Sequence, residues 1–205
     1  QISALDPDYP SARGAIGFRF GSGHGAGRLV VAGVSAMNMS SNELQMAVLK
    51  ACRGIGLPVA QAQDVAAAIA ISPWALKQLL SHLAQPTTSA RFEFSAGVDV
   101  QNAFILRDFS TCADAARLGV SPVVLRELSL CDVIEAMALY RGVSATVHAG
   151  GVLLTAEERP VPVPSRCDVD PMDWQVLGKY AALTYVPETD ASRLAGAGAG
   201  LTDND

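Results

Sequence analysis

Charge is scarce in this sequence. Only 17% of the 205 residues are Asp, Glu, Lys or Arg, and the formal net charge is -5. The basic residues stand singly, so no cationic run faces a phosphate backbone or an anionic bilayer. Neither nucleic acid nor a membrane is an expected partner. The four cysteines (Cys52, Cys112, Cys131 and Cys167) lie tens of residues apart and form no C-x-x-C pair. That spacing supports neither a zinc site nor a disulfide framework, and the thiols read as small apolar core residues in a reducing cytosol. No apolar run reaches the roughly 18 residues of a membrane helix. The first residues also lack a charged segment followed by a long apolar run, so no signal peptide is read and the expected location is cytoplasmic. No metal and no cofactor is expected.

Hydrophobic residues, by contrast, make up 50% of the chain. A chain of this length and composition buries a core without covalent staples. Residues 1–36 differ in texture from the rest. They are glycine-rich, hold one short candidate strand (AIGFRF), and are expected to be an extension that is non-native or disordered. One α+β domain is expected over residues 37–205.

Helices come first in that domain. Ser40 or Ser41 caps a helix with Glu43 in its first turn and Leu44, Val48, Ala51, Cys52 and Ile55 at helical spacing. Gly54 and Gly56 end it, Pro58 opens an alanine-rich second helix, and Ser72-Pro73 starts a third with Leu76, Leu79, Leu80 and Leu83 inward. The period then changes. RFEFSAGVDVQ alternates as strands do, Thr111 to Leu118 reads as a short helix, and SPVVLRELSLCDVIEAMALYRG reads as a turn or short strand leading into a helix that Gly142 stops. VSATVHAGGVLLT reads as two strands around an Ala-Gly-Gly turn. ERPVPVPSRC suits an edge or an extended loop, and Asp170-Pro171 opens the last helix.

Few residues offer chemistry. GSGHGA (residues 21–26) fits G-x-G-x-x-A, but the valine-rich GRLVVAGVSAMN behind it is no phosphate-binding helix, so a flexible loop is expected. The histidines His24, His82 and His148 are isolated in sequence. His148 and His82 are the candidate catalytic residues, as proton carriers. Lys50 and Arg53 stand one turn apart near a helix C-terminus, where cations offset the macrodipole. The same pair forms an anion hook, with Arg53 forking a carboxylate or phosphate and Lys50 adding charge. The glycines of the terminal SRLAGAGAGLTDND are not read as a phosphate loop, because only five residues follow Gly200.

SSNELQMAVLKACRGIGLPVAQAQDVAAAI and ASRLAGAGAGLTDND together resemble a bacterial family, the domain of unknown function numbered 3726. Its first helix has the form N-E-x-x-x-x-x-x-K-A-x-R-G-x-G, matched here by Asn42, Glu43, Lys50, Ala51, Arg53, Gly54 and Gly56. Its Gly-Ala and Asp-rich end is matched by Ser192, Arg193, Gly196, Gly198, Gly200, Asp203 and Asp205. The resemblance covers residues 37–205 and implies an ordered tail. It makes Glu43, Lys50, Arg53, Arg193, Asp203 and Asp205 the candidate ligand-binding residues. The opening helices are also similar to those of the malate/L-lactate dehydrogenase type-2 family, whose Ser-His-Gly is represented by Ser81-His82 with Leu83 in place of the glycine.

Three functions follow, with the question of enzyme or non-enzyme left open. The first is an accessory domain that binds a small carboxylate or phosphate, or a partner protein encoded nearby, alongside a metabolic enzyme. The second is a small enzyme whose site joins Lys50 and Arg53 to the tail. The third is a relative of nicotinamide-dependent dehydrogenases with His82 as acid/base.

Overall fold

The computed structural model describes residues 36–162 and 164–184. The candidate strand AIGFRF, the glycine loop with His24, and the tail residues Arg193, Asp203 and Asp205 lie outside the described residues.

The chain enters through a short strand, β1 (Met37–Ser40), whose last residue also caps helix α1 (Ser41–Gly54). The Ser40 hydroxyl accepts the Glu43 N–H at 3.1 Å, and the Glu43 carboxylate accepts the Ser40 N–H at 2.9 Å. Two otherwise orphaned donors are thereby satisfied. The bonds that the Ser40 N–H and hydroxyl donate to the Glu43 carboxylate hold that carboxyl below its ordinary value, the backbone bond contributing most. The cap's contribution is therefore present above the unfolded-state pKa and is lost as pH falls through the lowered folded one. Ser40→Ala is expected to cost about 1 kcal/mol in urea unfolding at neutral pH, with the deficit narrowing in acid. An unchanged midpoint would remove the cap from the account.

Gly56, at φ 88, turns the chain into α2 (Val59–Ile71). Small residues dominate α2, and Ala62, Val65, Ala66, Ala68 and Ile69 are buried against α1 and later helices. A 3-10 turn at Pro73–Ala75 leads into α3 (Leu76–Leu83), which buries its four leucines as the spacing requires. Strands β2 (Arg91–Phe94) and β3 (Val98–Gln101) form an antiparallel pair.

Helix α4 (Ile105–Arg117) starts six residues before the stretch in which the sequence pattern becomes evident. The reason is a buried carboxylate: Asp108 accepts the Phe104 N–H at 2.8 Å and so closes the first turn from within. Helix α4 carries the chain over to β4 (Val123–Arg126), which pairs in parallel with β3. Then α5 (Asp132–Arg141) ends at Gly142, which adopts the left-handed cap conformation at φ 65. Strands β5 (Val143–His148) and β6 (Gly151–Ala156) form the expected hairpin. The five-stranded sheet has the order β2-β3-β4-β6-β5.

The segment after the prolines supplies β7 (Arg166–Val169), which pairs with β1 from Met37↔Val169 to Ser40↔Arg166. Asp170 then caps α6 (Pro171–Ala182) by accepting the Met172 N–H at 2.7 Å. Helices α1 and α6 thus leave one two-stranded ribbon and pack side by side. The architecture is α+β with one continuous apolar core. No helix among the described residues is long and apolar enough to cross a membrane.

Candidate functional site

The close packing of α1 and α6 defines a groove. At Gly54 the absence of a side chain lets the helix approach the Tyr180 carbonyl of α6, where a Cβ would overlap the oxygen. Beside this contact the two helices leave a cleft of about 450 Å³ lined by Asn42, Glu43, Met46, Ala47, Lys50, Trp174, Gly178, Ala181 and Ala182. Its walls are largely apolar, and its charges come from α1. Lys50 is exposed and has no ion pair among the described residues. Glu43 lies two turns earlier, about 10 Å along the helix axis, and its carboxylate is engaged by the Ser40 N–H and hydroxyl, each at 2.9 Å.

Two sequence candidates, Glu43 and Lys50, therefore meet in one groove. Arg53 does not line it. Its guanidinium donates to the Leu57 carbonyl, bracing the turn from α1 to α2. Residues Met46 and Trp174 went unread in the sequence. Met46 sits on the exposed side of α1, and Trp174 lies well over a hundred residues further along the chain. The spacing of Met46 between Glu43 and Lys50 at positions three and four apart on one helix is the one signal that the sequence holds, and the structure leaves that methionine exposed.

The histidines lie on different elements. His148 ends β5 at the exposed tip of the hairpin, beside a cavity of about 580 Å³ formed with Glu127, Leu128, Ser129, Leu130 and Gly150. No hydrogen-bond partner of its ring occurs among the described residues. His82 is half-buried on α3, and its Nε2 lies 3.9 Å from the Cys131 Sγ. Burial pushes the His82 imidazole below its ordinary value, while a hydrogen bond with the Gln85 side chain pulls it back.

Comparison with family models, with curated proteins and with solved structures finds no match.

A third cleft, of about 500 Å³, gathers Arg117, Tyr140, Arg141 and Arg159 with Glu157 and Glu158. Most of its charge is already committed. Arg141 pairs with Asp64 at 3.0 Å and also with Asp114, tying α5 to α2 and α4. Arg159 donates to the Val143 carbonyl at 3.2 Å and stands 3.9 Å from the Glu157 carboxylate. This cleft holds the fold together more than it offers charge to a ligand. Among the described residues, no group of three or more His, Cys, Asp or Glu side chains is placed to hold a metal ion.

Proposed function

We propose that the protein is an accessory domain that binds a small organic acid in the groove between α1 and α6 and acts beside a metabolic enzyme. The observation that carries this reading is the combination of an apolar cleft with, among the described residues, a single uncommitted cation at one side. An acid with an apolar body satisfies both. Its carboxylate meets the Lys50 ammonium, and its body lies on Met46 and Trp174. The Glu43 carboxylate opposes a second negative charge at the other end, which favours monocarboxylates over dicarboxylates.

The resemblance of the first helix to the family of unknown function supports the same choice, since Lys50 belongs to the matched residues. A second reading, a small enzyme whose site adds the C-terminal tail, draws support from one contact. Leu183, the residue after α6, lies against Gly54 at the end of α1. Under that reading Arg193, Asp203 and Asp205 join Lys50 and Arg53.

The test uses Trp174 fluorescence in a Trp74→Phe background, because the chain holds only 2 tryptophans. Short monocarboxylates are expected to change Trp174 emission and raise the melting temperature. Lys50→Ala is expected to weaken that binding about tenfold, as loss of one charge-assisted contact does, with the melting temperature of the free protein unchanged. If no acid at millimolar concentration alters emission or melting, the groove is not a binding site.

A further inference from the structure

The His82–Cys131 pair lies outside the α1/α6 groove, with Cys131 at the edge of the core. Of the four cysteines, Cys52, Cys112 and Cys167 are buried, and Cys131 alone is partly open to solvent. Burial pushes the Cys52 and Cys112 thiols up to about 12 and raises Cys167 as well. Those three are poor nucleophiles at neutral pH, because the thiolate is the reactive form.

Cys131 differs in two ways that reinforce each other. It is the N-cap residue of α5, a helix of ten residues, and its side chain makes no cap hydrogen bond. Its Sγ is therefore not held by the first-turn N–H groups at a helix end whose field favours negative charge. Independently, α3 delivers the His82 Nε2 to 3.9 Å from that sulfur. Burial lowers the basicity of the imidazole and so opposes full proton transfer in advance, but a neutral ring nitrogen at this distance can accept the thiol proton as the sulfur attacks. Asp132 and Glu135 occupy the same first turn and oppose a thiolate. The helix terminus alone is thus insufficient, and the imidazole decides the outcome.

We propose that Cys131 and His82 form a thiol–imidazole pair that makes Cys131 the reactive thiol of this chain, a site of S-thiolation by low-molecular-weight disulfides. The Cys131 proton passes to His82 Nε2, and the sulfur attacks one sulfur of the incoming disulfide. The S–S bond of the reagent breaks, a mixed disulfide forms on Cys131, and the departing thiolate takes the proton from the imidazolium. Cys131 is oxidised and the departing half of the reagent is reduced. Because the other three cysteines are buried, no exposed thiol of this chain resolves the adduct, so it persists until an external thiol removes it.

The test treats the folded chain with oxidised glutathione and follows intact mass and peptide maps. One adduct is expected, on Cys131, forming at least about tenfold faster than on any other cysteine. It is also expected to form faster than on the same cysteine in the urea-unfolded chain at the same pH. His82→Gln is expected to slow it about tenfold while the melting temperature holds. A first adduct on another cysteine overturns the proposal, as does a Cys131 rate no higher than in the unfolded chain. A folded His82→Gln variant reacting at the wild-type rate overturns it too. If that variant unfolds, the comparison of folded with unfolded wild type decides alone.

Discussion

Gly54→Ala is expected to destabilise the protein by about 2 kcal/mol and to abolish ligand binding in the α1/α6 groove. The sign is what makes this result informative. In a helix without close neighbours, replacing glycine by alanine stabilises by up to about 1 kcal/mol through propensity alone. At Gly54 the new methyl group meets the Tyr180 backbone carbonyl, which belongs to a helix and cannot swing aside as a side chain does. Overpacking of that kind costs about 1 to 3 kcal/mol and drives the ends of α1 and α6 apart. Gly178, on the groove wall of α6, is the control, since a Cβ there meets nothing within 4 Å. Gly178→Ala is expected to raise stability by about 0.5 to 1 kcal/mol while narrowing the cleft. Chemical denaturation of the two variants side by side checks both signs, and stabilisation by both would show that the helices are not in close contact at Gly54.

The second large effect lies in the core. Phe109 is fully buried on α4, the helix that packs against β6, α5 and α2. Phe109→Ala removes most of a ring from the junction of helices and sheet, and large-to-small changes of this kind cost about 3 to 5 kcal/mol. Typical domains have only about 5 to 15 kcal/mol to lose, so the variant is expected to be partly unfolded near physiological temperature. Phe109→Leu is expected to fall between the two. Urea midpoints across the series measure the effect, and a loss below about 1 kcal/mol for the alanine variant would mean the core refills the space.

Helix ends were the most legible part of the fold. Ser40 with Glu43, Pro58, Ser72-Pro73, Gly142 and Asp170-Pro171 act through neighbours in the sequence, so their meaning survives reading one residue after another. The start of α4 was hidden because its closing group, Asp108, lies inside the helix and is buried, where a carboxylate gives no outward signal. The strand β1 was hidden for a different reason. MNMS has no alternating pattern, and it becomes a strand only because RCDV lies opposite it, well over a hundred residues later. The candidate site divides along the same line. Glu43 and Lys50 lie on one helix and could be singled out together. Trp174, which completes their groove, and Cys131, which faces His82, depend on contacts across the fold that no local spacing encodes.

The pairing of β1 with β7 also governs when the molecule can finish. Contacts between distant parts of a chain must close long loops before they return any free energy, so they form late. During synthesis, α1 leaves the ribosome with one face still uncovered, and its partner α6 arrives only after all five strands of the sheet have been made. Until then the apolar face of α1 that includes Ala47 is a chaperone's concern. If the groove binds an acid as proposed, its occupancy reports completed translation as much as affinity, since a nascent chain that stops before Pro171 has only one wall of it.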